Sequence, residues 1–265
     1  MAIVGVVSVS GKPVPEMADT VLDLQVEERL FPLHDGGQLH AVGKLEFCLA
    51  AQSFTCIVGP SGCGKTTTLR MILGLDKHFK GRILQPAGDR VAAVFQEPRL
   101  LPWRTVEQNI RLVLPKVQRQ QSLEELLAVL ELAEVRDFYP AQLSLGLARR
   151  ASLARAFVLK PQLLILDEPF VSLDDNTAER LRNLLIALWQ QQHTTALMVT
   201  HNLREAALLA DRILVFGRRP TCVIGELPVE RPRSRRNPEF VDTIVAQMQR
   251  IIRGSTSEVV LDSGG

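Results

Sequence analysis

Eight residues, Gly59-Pro60-Ser61-Gly62-Cys63-Gly64-Lys65-Thr66, fit the pattern G-x-x-x-x-G-K-S/T at every fixed position. Closely spaced glycines let successive backbone N–H groups curl around phosphate oxygens. The N-terminus of a following helix adds partial positive charge. Lys65 brings a formal charge to the β- and γ-phosphates, and the hydroxyl of Thr66, followed by Thr67, is a ligand for Mg²⁺. A second run, Leu163-Leu164-Ile165-Leu166-Asp167-Glu168, delivers two carboxylates behind four apolar residues. Asp167 is placed to hold the metal, and Glu168 to polarise an attacking water as general base. Gln96 follows the apolar run 91–95, where an amide reaches the metal or the water. His201 follows the run 195–200, and its imidazole suits a γ-phosphate oxygen. Singly, Gln96 and His201 are ordinary strand-end residues, and the glycine loop alone implies only that a nucleoside triphosphate binds.

These side chains need a scaffold, and the apolar pattern supplies one. The run 54–58 ends at the glycine loop and 65–75 is helix-compatible, which gives the strand–loop–helix context the motif requires. Upstream, 21–26 and 45–49 flank the turn-like Asp35-Gly36-Gly37 and read as an antiparallel strand region. Residues 91–95 form a strand before a Pro-rich stretch, 97–103. Leu123, Leu126, Leu127 and Leu130 then fall at helical spacing, with Ser122 and Glu125 as a capping box. Strands at 163–166, 195–200 and 213–216 alternate with a helix whose face is Leu181, Leu184, Leu185 and Leu188, and with a second helix at 203–209. The expected fold is α/β, with a mixed sheet core, an antiparallel β region near the N-terminus and an inserted helical subdomain. Its division is a leader at 1–20, the first part of the nucleotide-binding core at 21–97, the helical subdomain at 98–155, the rest of the core at 156–217, and a basic tail at 218–265. In that tail Arg218, Arg219, Arg231, Arg233, Arg235 and Arg236 stand among prolines. A phosphate-binding patch is one reading, but a solvated linker before a helix at 238–252 is the better one.

Composition narrows the classes. Lys and Arg total 31 against 29 Asp and Glu, a net charge of +2 that makes no bulk case for nucleic acid. Cys48, Cys56, Cys63 and Cys222 lack C-x-x-C or zinc spacing and read as ordinary reduced thiols. No run approaches 18 uninterrupted apolar residues, and the weakly apolar 2–9 has no basic segment before it, so neither a membrane span nor a secretion signal is expected.

Six motifs in order carry a family resemblance: GPSGCGKTT (59–67), FQEPRLLPW (95–103), LSLGLARR (143–150), LLILDEPF (163–170), SLD (172–174) and VTH (199–201). The chain resembles, over about residues 20–250, the nucleotide-binding subunit of an ATP-binding cassette (ABC) transporter, a P-loop NTPase fold. The resemblance implies ATP with Mg²⁺, hydrolysis, Gln96 in the loop that senses nucleotide and membrane partner, and His201 as the switch histidine. It implies that Ser144 and Gly146 contact the γ-phosphate held by a second copy in a head-to-tail dimer. This chain departs from the usual LSGGQ signature at Leu145 and Leu147. For the aromatic residue that stacks on adenine, Phe31 is the candidate, with His34 or His40 weaker. The stretch 96–103 and the tail are similar to the ATPases of the nitrate, sulfonate and taurine importer group. That implies a peripheral place on the cytoplasmic side of the inner (plasma) membrane, docked on an integral-membrane permease near Leu101 and Trp103. An external, periplasmic solute-binding protein would deliver the solute, and no nucleic acid would be bound. Trp103 as subdomain core is the alternative at that position. A soluble cassette ATPase acting as a conformational switch is the second functional reading. A small-molecule kinase leaves the signature, the Asp167-Glu168 pair and His201 without a use.

Overall fold

Leu22, Leu24 and Val26 are buried while Asp23 and Gln25 between them are not, the period of two that turns one face of a strand inward. This strand, β1 (Thr20–Pro32), pairs antiparallel with β2 (Gln38–Val42), β3 (Leu45–Ala50) and β5 (Lys80–Leu84) in a four-stranded sheet. The computed structural model describes residues 20–34, 36–86 and 90–261, with side chains as far as 254. The expected leader, apart from Thr20, and Asp35 of the expected turn lie outside them. Two strands go beyond the two apolar pieces read from sequence. Lys-Gly-Arg-Ile-Leu in β5 is almost wholly exposed, the polar composition of a protected edge.

The second sheet has six strands in the order β10-β9-β4-β8-β7-β6, all parallel except β10. Here β4 is Phe54–Val58, β6 Val91–Val94, β7 Leu163–Asp167, β8 Thr195–Val199, β9 Arg212–Phe216 and β10 Val223–Pro228. Every residue of β4 and β8 is buried, as covering both faces of a parallel sheet demands. Side chains alternate between two cores. Cys56 and Val58 join the layer that contains the larger helices, and Ile57 joins the layer beneath the antiparallel sheet. Because β4, β8, β7 and β6 are neighbours running the same way, the chain leaves them along one rim at Gly59, Thr200, Glu168 and Phe95. Ligands of open parallel sheets bind at that rim.

The helices are α1 (Lys65–Ile72), α2 (Val106–Arg111), α3 (Glu124–Val129), α4 (Leu145–Phe157), α5 (Asp175–Gln192), α6 (Leu203–Leu209) and α7 (Pro238–Leu261). The expected capping box at Ser122 and Glu125 does not form. Leu123, buried, occupies the cap of α3, and the Ser122 hydroxyl accepts only from the Glu124 amide at 3.3 Å. The box is found instead at Thr105 and Gln108, which open α2.

The linker reading of the tail is overturned. Residues 223–228 are a sheet strand, and two of the arginines are structural. The Arg236 guanidinium is buried and donates to the carbonyls of Ala207 (3.1 Å), Leu208 (2.8 Å), Val229 (3.3 Å) and Arg231 (2.8 Å). Two of these belong to the last turn of α6, whose carbonyls have no partner within the helix. Arg233 donates to Leu209 O at 2.7 Å, lies 4.4 Å over the Trp189 ring and pairs with Asp211 at 2.8 Å. Burial, then the neighbouring Arg233 charge, pulls the Arg236 pKa down to about 10. Arg236→Met keeps the bulk but strands these carbonyls, so a loss of about 3 kcal/mol is expected. That corresponds to a Tm lower by roughly 6–12 °C in a thermal melt. Arg235→Met, at an exposed neighbour, is expected to move Tm by less than about 2 °C.

Candidate functional site

The glycine loop bridges β4 and α1, and its shape is dictated by what packs on it. Gly64 caps α1 at φ 103°, and a Cβ there would stand 2.1 Å from the Thr221 hydroxyl. Both the backbone conformation and the packing therefore require glycine at that position. Lys65 is buried, its ammonium donating to Gly59 O at 2.8 Å and Pro60 O at 3.0 Å. Cys63 is buried under the loop, and desolvation pushes its thiol upward. Above the loop lies a cavity of about 330 Å³ lined by Ser61, Gly62, Gly64, Lys65, Thr66 and Thr67, with Phe31, Leu39, Ala41, Glu168 and Arg219 completing the wall.

Of the three aromatic candidates Phe31 reaches this cavity, and neither His34 nor His40 lines it. The ring is backed by Arg29, whose guanidinium carbon is 3.9 Å from its centroid and whose Nε donates to Asp76 at 2.9 Å. Burial opposes ionisation of Asp76, but the bonds from Arg29 and the His78 amide outweigh it and hold the carboxyl below its ordinary range. Asp76 follows α1, so the aromatic wall is tied to the helix of the phosphate loop.

On the facing side β7 ends at Asp167. Glu168 then turns sharply at φ 46°, its amide donating to Val199 O at 2.9 Å. Glu168 Oε2 stands 3.0 Å from His201 Nδ1, so adjacent strands bring the carboxylate and the imidazole together. Both also line a second cavity of about 200 Å³ with Arg182 and Glu205. The buried Glu205 accepts from the Thr200 hydroxyl at 2.7 Å, and burial raises its carboxyl. Burial first, and the Glu168 charge second, likewise raise Asp167. A raised carboxyl binds its proton more tightly in the folded state, so its contribution is present at low pH and lost as pH rises through the folded value. Ionised Asp167 therefore costs stability at neutral pH in the nucleotide-free protein. Asp167→Asn is expected to raise Tm at pH 7, with the gain shrinking toward pH 4; melts across that range check it.

Gln96 is exposed in a bend after β6, lining neither cavity. Its loop is fastened to α4 by Arg155, which donates to Pro98 O and Arg99 O, each at 2.8 Å. Ser144 caps the start of α4, its hydroxyl accepting from the Leu147 amide at 3.3 Å. At Gly146 a Cβ would come within 2.9 Å of Thr177. Leu145 is 41% exposed in the first turn, whereas Leu147 packs against the core. Ser144 and Gly146 line neither cavity. Gly59, Pro60 and Cys63 are not on the wall of the first cavity. Trp103 is 69% exposed and is not subdomain core; Val117, at 90%, is also outside it. Sequence reasoning missed Arg29, Asp76 and Thr221 as parts of this site and preferred a linker to the phosphate-binding patch for Arg219, because their partners are distant in the chain and no local spacing marks them.

Residues 42–171 match a family model described as ABC transporter. An aliphatic sulfonates import ATP-binding protein, SsuB 2, of Burkholderia cenocepacia is 38% identical, the match covering 92% of this chain and 91% of that protein. The nitrate import ATP-binding protein NrtC of a Synechocystis species is 37% identical over 81% of this chain and 34% of its own length. Among solved structures, a dimeric post-hydrolysis state of the ATP-binding cassette MJ0796 bound to ADP and Pi superposes with a TM-score of 0.69 at 25% identity, covering 80% of this chain and all of that one. The cassette cbiO1 of Clostridium perfringens, part of a cbiONQ transporter complex, gives 0.67 at 26% identity, covering 80% of this chain and 90% of that one.

Proposed function

As the chain belongs to the ABC transporter family of ATP-binding proteins, we propose that it couples ATP hydrolysis to import of a small anion of the sulfonate or nitrate kind. The observation that carries the catalytic part is the Glu168–His201 contact at 3.0 Å on the edge of the loop-lined cavity. Phe31 stacks on adenine, the amides of 61–67 hold the phosphates, and Lys65 exchanges its loop carbonyls for phosphate oxygens. Glu168 takes the proton of a water whose oxygen attacks the γ-phosphorus as the bond to the β-phosphate oxygen breaks, leaving ADP and phosphate. His201 holds Glu168 and steadies the γ-phosphate. Thr66, Gln96 and Asp167 would supply the oxygen donors for Mg²⁺, and a buried carboxyl driven upward by desolvation is a group that a cation would stabilise. The bound ion would neutralise charge on the β- and γ-phosphates.

A second copy, head to tail, completes the site with its own Ser144 and Gly146. The permease docks on the helical subdomain where Trp103 and Val117 are exposed, which keeps the chain peripheral on the cytoplasmic side of the inner membrane. Among the described residues no helix is long and apolar enough to cross a membrane. A separate solute-binding protein supplies the anion. Purification from detergent-solubilised membranes tests this reading: a permease should accompany the chain. An entirely soluble, partnerless protein with normal ATP turnover would favour the switch alternative.

A further inference from the structure

The turn between β9 and β10, residues 217–222, reaches the cavity above the glycine loop through Arg219. Thr221 is fully buried, its hydroxyl between the carbonyls of Ala41 (2.8 Å) and Cys63, and its amide donates to Ala41 O at 3.1 Å. Gly43 N donates back to Thr221 O at 3.0 Å. One threonine thereby clamps the end of β2 to the phosphate loop and fixes the turn that carries Arg219. The Arg219 guanidinium lies over the loop: Nε donates to Gly62 O at 2.6 Å, and Nη2 is 3.3 Å from where a Cβ on Gly62 would sit. Gly62 has φ 74° and no side chain, which admits the guanidinium to the loop surface.

We propose that Arg219 is a nucleotide-binding residue, a second cation beside Lys65 whose Nη groups bind the phosphate chain. Lys65 and Arg219 are the cations on the cavity wall, and among the described residues no carboxylate pairs with Arg219. The bond from Nε to the Gly62 carbonyl orients the planar fork, and the two Nη groups are without a hydrogen bond among the described residues, on a cavity wall shared with Lys65 and the hydroxyls of Ser61, Thr66 and Thr67. The arginines of the tail thus divide by depth: Arg233 and Arg236 cap a helix, and Arg219 serves the ligand.

The inference rests on the nucleotide reading of the cavity. Calorimetric titration of the full chain with ATP, ADP and AMP tests it in wild type, Arg219→Gln and Arg219→Lys, at about 50 and 300 mM KCl. Arg219→Gln is expected to weaken ATP and ADP about tenfold at low salt, AMP less, with the difference narrowing at high salt. Arg219→Lys, which keeps the charge but not the fork, should recover part of the loss, and the nucleotide-free Tm should stay within about 2 °C. An ATP Kd within twofold of wild type would overturn the proposal. So would a salt-independent loss that Arg219→Lys does not recover, since that marks a loop brace and not a phosphate ligand. A wild-type protein that bound no ATP would sink the nucleotide reading itself.

Discussion

Glu168→Gln is expected to lower ATP turnover by about 10²–10⁴-fold, the worth of a positioned general base, while ATP affinity changes less than about threefold. The substitution is close to isosteric. Its amide oxygen accepts from the His201 ring as the carboxylate does, so the contact across the ends of β7 and β8 survives. The backbone at φ 46° and the bond to Val199 O are indifferent to whether the side chain ends in a carboxylate or an amide. Only the capacity to take a proton from water disappears. If ATP holds two copies together and hydrolysis releases them, the variant accumulates as an ATP-dependent dimer. Phosphate release and light scattering, each with and without ATP, measure both consequences. Turnover within threefold of wild type would remove Glu168 from the role of base. His201→Ala leaves the carboxylate in place but removes both what orients it and the imidazole proposed for the γ-phosphate, so turnover should fall there too.

The site was legible in the sequence where local spacing sets geometry. The glycine pattern specifies its own backbone path, and Asp167-Glu168 follows a run so apolar that only a buried strand accommodates it. Complete burial made β4 and β8 readable, and burial of all but Asp167 did the same for β7, whereas the exposed β5 and the half-exposed β10 carried no such signal. The choice among Phe31, His34 and His40 depended on strand register, which spacing along one strand does not contain. Phe31 pairs with Leu39, and both line the cavity with Ala41, two residues further along β2. His40 lies between them, so the period of two sends its side chain to the other face. His34 lies past the end of β1. The tail failed for a different reason. Arginine is ordinarily a surface residue, and the carbonyls that draw Arg236 inward lie up to 29 residues away. Ser122 and Glu125 had the right spacing for a capping box, but packing of Leu123 set the helix start.

The composite site makes the sharpest prediction about assembly. Ser144→Asp retains the cap of α4, because Asp accepts from the first-turn amides as well as Ser does, and its charge favours a helix N-terminus. The variant is therefore expected to fold and to bind ATP on its own intact loop. In a head-to-tail dimer it presents a carboxylate to the γ-phosphate on the other copy, and it should be inactive. Lys65→Ala is inactive for the opposite reason, having a sound signature and a damaged loop. Mixed, the two restore one good site: the loop of the Ser144→Asp chain faces the signature of the Lys65→Ala chain. With random pairing half the dimers are mixed and each holds one working site of two, so about a quarter of wild-type turnover should return. Recovery to that level upon mixing two inactive proteins requires residues of both copies at one phosphate. No recovery, with dimers demonstrably mixed, would mean either that Ser144 acts within its own chain or that a single site cannot fire alone. Linking one variant to wild type decides between these. A tandem of wild type and Lys65→Ala retains one composite site, and its activity shows whether one is enough.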